Sequence, residues 1–482
     1  MVRDRADWCI SRQRHWGLPI PVFYCADCKK AICDDQTIGK LSDLFAEKGS
    51  NVWFEKEAVE LLPEGYVCPQ CGGTSFTKDT NTLDGWFDSG SSHFAVLENK
   101  AGHKWPADVY LEGADQYRGW FQSSLLCAVG AKGQGAPYKQ VLTHGWVVDG
   151  KGEAMHKSKG NSVSPDDMVK KYGADIVRLW VASADYHMDV RCSDLIFKQL
   201  SESYRKFRNT ARILLANLGD KGTDFVPDRD LVSVQDMPEV DRWILSRLNG
   251  FTKIVREGYD RYEFHVICQA LNNFCTNDLS KLYIDITKDR TYVEAADSFS
   301  RRSAQSAMYL VLSYMTRLVA PILSFTSDEI WQAMPHLSTD DVEHVMLNQM
   351  PSYEESLNFP ELEEKFDALF TVREDIMKAL EEARSEKKIG KSLDAKITIS
   401  ASGSQMELLR NNQEDLSSLF IVSHVELTDA PLSDGFTGTS GVSVCVDEAD
   451  GQKCDRCWMY TTDVVSDGEG VVCKRCASVL GL

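Results

Sequence analysis

Two sets of paired cysteines carry the plainest chemistry in this sequence. Near its end stand Cys454-Asp-Arg-Cys457 and Cys473-Lys-Arg-Cys476, separated by fifteen residues. Each pair can form a short knuckle, and two knuckles at that spacing present four thiolates to one tetrahedral ion. Soft sulfur favours Zn²⁺, and a closed shell of four thiolates leaves no position for a substrate, so the expected role is structural. A second set, Cys25-Ala-Asp-Cys28 and Cys68-Pro-Gln-Cys71, is followed by Gly72 and Gly73, which suit the tight backbone of a knuckle. Its pairs lie 39 residues apart, and Cys33 stands nearby as a competing ligand. Buried cysteines without metal are the alternative reading of this second set.

The elements that must position these groups follow from residue patterning. Residues 1 to about 195 are rich in Gly, Trp and short apolar runs and read as alternating strands and helices, an α/β layer architecture. Val141 to His144 and Trp146 to Val148 read as strands, and Asp149-Gly150-Lys151-Gly152 as a turn, followed by a short, polar, flexible loop. Ser164-Pro165-Asp166-Asp167 then offers a capping side chain, a first-turn proline and two first-turn acids, which predicts a helix ending near Gly173, with another over Ala174 to Ala182.

From Leu195 to Met334 apolar residues recur at helical spacing, as in Ser201 to Leu218, Asp241 to Tyr259 and Ser303 to Leu323, which predicts an all-α bundle with a connection over Gly219 to Pro238. A long charged helix follows, with Val372, Ile376, Leu380 and Ala383 in one stripe and Lys387, Lys388 and Gly390 at its end. Ala395 to Ser400 alternates as a strand, and the tail mixes short strands with a zinc ribbon.

A chain of 482 residues exceeds one hydrophobic core, which argues for two to four domains. With 43% apolar and 26% charged residues it is a soluble globular composition. The formal charge of −19 argues against nucleic-acid binding by the whole surface, because phosphate binding is driven by Lys and Arg displacing counterions. Any such site must be local, and the basic clusters are Arg3, Arg5, Arg12 and Arg14, and Lys198, Arg205, Lys206, Arg208 and Arg212, each of which also reads as a solvated face. Charged residues Arg3, Asp4, Arg5 and Asp7 interrupt the stretch where a secretory signal needs an apolar core. Met308 to Phe325 contains Arg317 and Pro321 and reads as a buried helix, not a membrane span. A cytoplasmic protein with fifteen reduced cysteines is the expectation.

Three stretches together resemble the isoleucyl-tRNA synthetases, class I enzymes of bacteria: Asp7 to Phe23 (DWCISRQRHWGLPIPVF), Tyr110 to Leu125 (YLEGADQYRGWFQSSL) and Ala154 to Asn161 (AMHKSKGN). Thr82 to Phe94, Asp241 to Leu248, Lys388 to Ile397 and Cys454 to Tyr460 extend the match in the family's order. The resemblance implies a multi-domain chain: the C-terminal half of a Rossmann-type α/β catalytic domain over 1–198 with a zinc-knuckle insertion at about 22–78, a helical anticodon-binding domain over 199–360, a long helix with a small α/β junction over 361–440, and a zinc-binding domain over 441–482.

The implied activity is ATP-dependent activation of isoleucine and its transfer to the 3′-terminal adenosine of tRNA(Ile), with Mg²⁺ accompanying ATP. Lys157 aligns with the second lysine of the family's Lys-Met-Ser-Lys-Ser loop, where a cation meets charge building on the phosphates. Met155 and Ser158 keep their places, whereas Ala154 and His156 stand where a lysine and a serine are usual. Glu112 and Gly113 match positions that contact the adenylate, Asp115 and Gln116 positions near the ribose, and Trp86 and Trp120 the aromatic walls of the isoleucine pocket. Asp115 also reads as the cap of the following helix. Gly85 stands where the family more often has a bulkier apolar residue, and Trp458 beside the tail knuckle is placed to stack on an unpaired base or to cover its own ribbon. The resemblance further implies a nucleotide-binding half with a His-Ile-Gly-His-type motif and an editing domain ahead of Asp7, within one monomeric enzyme or as a separate polypeptide. The competing class of function is a non-catalytic tRNA-binding zinc protein.

Overall fold

A computed structural model describes residues 3, 7–219, 224–466 and 470–482. Arg5 of the first basic cluster, four residues of the Gly219 to Pro238 connection and three of the tail lie outside the described residues. The chain forms two compact units, Met1–Val147 with Tyr186–Asp189, and Val148–Asp185 with Val190–Leu482.

In the first unit the strands Ala107–Gly113 and Tyr138–His144 run parallel, in register from Ala107 opposite Tyr138 to Gly113 opposite His144. Parallel neighbours need a crossover, and the helix Trp120–Lys132 supplies it, ending at Gly133 in the left-handed conformation. The helix Gly85–Gly90 lies against this crossover. A Cβ on Gly90 would sit 2.9 Å from the Ser123 carbonyl carbon, so only glycine permits that approach. The cysteine-bearing insertion is a module of its own, with a three-stranded antiparallel sheet of Ala31–Ile32, Phe23–Cys25 and Phe76–Lys78. Its core gathers Phe23, Leu41, Trp53 and Leu61, all buried, under the helix Asp35–Lys48.

The second unit opens with the strand end at Asp149 and the helices Pro165–Tyr172 and Ala174–Ser183. Pro165 sits in the first turn as expected, but the Ser164 side chain makes no capping bond; its carbonyl accepts from Met168 instead. Buried Asp175 accepts from the Thr326 amide (2.7 Å) and hydroxyl (2.6 Å), capping the helix Ser324–Ala333, while Arg178 donates to the carbonyls of Ile322 and Pro321. The helices following the lysine loop are thereby bolted to the bundle.

The bundle comprises Asp194–Leu218, Glu239–Asp260, Phe264–Asn273, Ile284–Val293 and Phe299–Val319, with a wider π-helical turn over Phe274–Tyr283 that the apolar pattern did not announce. Inside it Asp241 is fully buried and accepts from both terminal nitrogens of Arg290 (2.9 and 2.6 Å), from Tyr283 (2.7 Å) and from Ser303 (2.5 Å). A buried ion pair is tolerated when its lone pairs are satisfied in this way. Beyond the helix Pro360–Ser385 comes a four-stranded sheet in the order His424–Thr428, Ala395–Ser400, Ser443–Glu448, Phe436–Thr437. Ser443–Glu448 lies past residue 440, where sequence reading placed the start of the zinc module. Its buried Val444 and Val446 complete this core, so the α/β layer runs to Glu448. No helix among the described residues is long and apolar enough to cross a membrane.

Candidate active site and zinc centres

Glu112 and Gly113 end the strand Ala107–Gly113 at the carboxyl edge of the parallel pair, and Asp115 and Gln116 follow in a single turn, Ala114–Tyr117. Open α/β sheets bind ligands at that edge because side chains and loops converge there. The carboxylates of Glu112 and Asp115 are exposed. Asp115 does not cap the following helix; that task falls to Gln116, whose Oε1 accepts from the Trp120 amide at 3.1 Å while its Nε2 donates to Asp115 at 3.1 Å. Gln116 thus meets the helix end with one atom and holds Asp115 with the other.

Gly119 is a residue that patterning missed. A Cβ there would lie 2.5 Å from Gln116 Oε1 and 2.8 Å from the Trp86 ring, so its bareness seats both groups. Trp120 stacks on Tyr110 with centroids 4.1 Å apart and donates to the Ser89 carbonyl (3.1 Å), so it is fixed, whereas Trp86 is 45% exposed. Asp84 holds this corner together: it receives Arg12 at 2.7 Å and the Trp8 indole at 2.9 Å, and its other oxygen caps the Trp86 amide. Arg12 is thus committed to structure. A Cβ on Gly85 would meet nothing within 4 Å, leaving open space where a larger side chain would stand.

The lysine loop belongs to the second unit and contains one regular turn. Lys157–Lys159 is a single tight turn closed by Gly160 at φ 67°. Lys157 and Ser158 are exposed, while Met155 packs against the cluster of Ile176, Cys192 and Phe197 and anchors the loop's near side. Asn161 bridges from the far side to Asp149.

In the tail, Cys454, Cys457, Cys473 and Cys476 bring their sulfurs within 4.8 Å of one another. The two pairs stand on the turns that close Gln452–Lys453 against Tyr460–Thr461 and that lead from Val471–Cys473 into the helix Lys474–Leu480. Burial opposes ionisation of Cys454, but the amides of Cys457 and Cys473 outweigh it and bring its thiol down to about 6, which suits a thiolate ligand. The module docks on the bundle through Arg456, donating to the Val293 carbonyl (2.8 Å), and Arg475, paired with Asp289 (2.8 Å). Trp458 does not cover the ribbon: it is 55% exposed, with Lys391 Nζ 5.5 Å from its ring, at the edge of a cavity of about 470 Å³ shared with Tyr292, Val293 and Ile421.

In the first unit Cys25, Cys28, Cys68 and Cys71 also bring their sulfurs within 4.8 Å. Cys33 is exposed and stands outside that group. The Gln70 amide, against burial, holds the Cys68 thiol down to about 7.

Comparison with known proteins decides the lineage. An isoleucine–tRNA ligase of Syntrophotalea carbinolica is 51% identical over 484 aligned residues, covering 100% of this chain and 51% of that protein. One from Caldanaerobacter subterraneus is 51% identical over 99% of this chain and 51% of its own length. The chain belongs to the isoleucine–tRNA ligase family. It spans about half the length of these curated relatives. Within it, the family model for tRNA synthetases class I (I, L, M and V) matches residues 1–193, the anticodon-binding domain of tRNA ligases residues 241–399, and the zinc finger found in FPG and IleRS residues 451–479. A leucyl-tRNA synthetase from Agrobacterium radiobacter, solved as a ternary complex with tRNA and LeuAMS, shares the fold at TM-score 0.52 and 22% identity, over 73% of this chain and 43% of that one. The architecture read from the sequence, catalytic α/β, helical anticodon-binding bundle and terminal zinc finger, is therefore borne out over the half of these relatives that the chain spans.

Proposed function

We propose that this chain carries part of the site at which an isoleucine–tRNA ligase joins isoleucine to the AMP moiety of ATP and passes it to the 3′-terminal adenosine of tRNA(Ile). The observation that carries the reading is the pair of exposed carboxylates, Glu112 and Asp115, at the carboxyl edge of a parallel strand pair. Glu112 faces the substrate ammonium, and bare Gly113 lets the adenylate approach the backbone. Asp115 meets the ribose hydroxyls, and Gln116 acts by holding Asp115. Trp86 gives the isoleucine side chain a flat apolar wall, with Trp120 as the fixed surface behind it.

Lys157 supplies the cation for charge that builds on the phosphates when the isoleucine carboxylate attacks the α-phosphorus and pyrophosphate leaves. Met155 and Ser158 shape its turn, and Mg²⁺ travels with ATP. At the other end, Trp458 with Lys391 over its ring offers a stacking face and a phosphate partner for an unpaired base of the tRNA, a contact worth about 1–3 kcal/mol. Closed four-sulfur geometry supports a second structural zinc on Cys25, Cys28, Cys68 and Cys71. The setting for this work is the cytoplasm.

Lys157→Ala in the complete ligase should slow isoleucine-dependent pyrophosphate exchange by about 10²–10³, the scale of losing one transition-state donor. An unchanged rate would remove Lys157 from its role in activation.

A further inference from the structure

We propose that Asp149 and Asn161 form a clasp that positions Lys157, acting on the activation step through the shape of the loop without touching the substrate. The proposal rests on the reading above, in which Lys157 meets the phosphates.

The two side chains between them use nearly all their hydrogen-bonding capacity on the loop they enclose. Asp149 Oδ1 accepts from the amides of Lys151 and Glu153, both at 2.9 Å, and Oδ2 accepts from Asn161 Nδ2 at 2.9 Å. The same Nδ2 donates to the Ala154 carbonyl at 3.2 Å, and Asn161 Oδ1 accepts from the His156 amide at 2.9 Å. The Asp149 amide closes the set on the Glu153 carbonyl at 2.9 Å. The partners dictate the amide orientation: a carboxylate and a carbonyl only accept, and a backbone N–H only donates. Asn161 therefore has to present its nitrogen to Asp149 and its oxygen to His156. An aspartate at 161 would bring two carboxylates together, and an alanine would leave both halves of the loop unlinked. Asn161 Oδ1 fixes the residue immediately before the Lys157–Lys159 turn, so the clasp acts one peptide from the lysine.

Asp149 lies at the end of the strand Val147–Asp149, so the clasp ties the loop to a regular element. The carboxylate's pKa is lowered, first by the Asn161 hydrogen bond and then by the Glu153 amide, consistent with an ionised partner that the amide has to face. A loop ordered before substrate arrives spares the entropy of ordering it in the transition state, and a misplacement of about 1 Å in a catalytic group can cost about 10²-fold. The constraint matters here because Ala154 leaves Lys157 as the one cation at the two lysine positions of the family's loop.

The test compares Asn161→Ala, Asn161→Asp and the reciprocal double variant Asp149→Asn with Asn161→Asp, which restores the amide–carboxylate pair and the acceptor for His156 with the roles exchanged, giving up only the longer bond to the Ala154 carbonyl. On the 482-residue chain, hydrogen exchange at the His156 amide and tryptic cleavage after Lys157 and Lys159 should each accelerate at least about tenfold in both single variants and return to within about threefold of the parent in the double variant. In the complete ligase, Asn161→Ala should lower kcat for pyrophosphate exchange by about 10–10² with the KM for isoleucine unchanged, again restored by the double variant. Unaltered exchange and proteolysis in Asn161→Ala would overturn the clasp. A loosened loop with a normal kcat, in a ligase where Lys157→Ala is slow, would overturn its positioning role alone. A normal rate in Lys157→Ala would overturn the activation reading and, with it, the role given to the clasp.

Discussion

The two cysteine quartets reach the same four-sulfur geometry on different supports. In the first unit the paired cysteines are 39 residues apart, and the chain between them builds a helix and a core around Phe23, Leu41, Trp53 and Leu61. In the tail the pairs are fifteen residues apart, and the buried cluster is Cys454, Cys457 and Cys476 themselves with Val472, Ala477 and Val293 from the bundle. The intervening segment in the first case is long enough to fold; in the second it is not. Where a segment buries large apolar side chains, any metal bound would add to an existing fold, and where it cannot, metal and docking have to make the fold.

The largest effect expected from this contrast is metal removal. Chelation, or Cys476→Ser, should abolish exchange protection over residues 452–480, since structural zinc binding is worth about 10–16 kcal/mol, while the helix Asp35–Lys48 stays protected. Protection surviving in the metal-free tail would break the contrast. Next in size, Trp53→Ala should cost about 3–5 kcal/mol by emptying the first module's core, read by denaturation of that module with the tail's signals unmoved. Asp34 caps the helix Asp35–Lys48 and accepts from Tyr66, and Asp34→Ala should cost about 1 kcal/mol.

That same group sets an acid limit for the first module. The Tyr66 hydroxyl, against burial and with help from the Thr37 amide, holds the Asp34 carboxyl below its ordinary 3.8. The contribution is complete above that value and is lost as pH falls through the lower, folded one, which NMR titration of the module would show. Arg475→Ala should be milder, under about 1 kcal/mol, because its pair with Asp289 is partly exposed; it should raise exchange in the tail only. Smallest of all, Cys33→Ser should leave zinc content unchanged, and a lost equivalent of metal would reinstate Cys33 as a ligand.

Both quartets were legible because a knuckle is a local object: two cysteines three positions apart and a turn define it. The bundle was legible for the same reason, since apolar residues at helical spacing mark the buried faces of Asp194–Leu218, Glu239–Asp260 and Phe299–Val319. The buried Asp241–Arg290 pair was not legible. Its partners lie 49 residues apart, and nothing in either helix distinguishes them from solvated charges. The sequence left Asp115 open as the cap of the following helix, whereas Gln116 accepts from the Trp120 amide, because which side chain reaches a helix end depends on how the turn has formed.

By itself the sequence determined the zinc finger of the tail, the family resemblance carried by Tyr110 to Leu125 and Ala154 to Asn161, and the succession of α/β, helical and zinc-bearing parts. These rest on spacing within one or two turns of chain, where neighbours in sequence are neighbours in space. Only the tertiary structure decided that Cys33 stands apart, that Trp120 is fixed while Trp86 is exposed, that Ser443–Glu448 belongs to the sheet, and that Asn161 closes the lysine loop onto Asp149. Each of these is a competition among groups distant along the chain for the same space or the same hydrogen bond, and packing alone settles it.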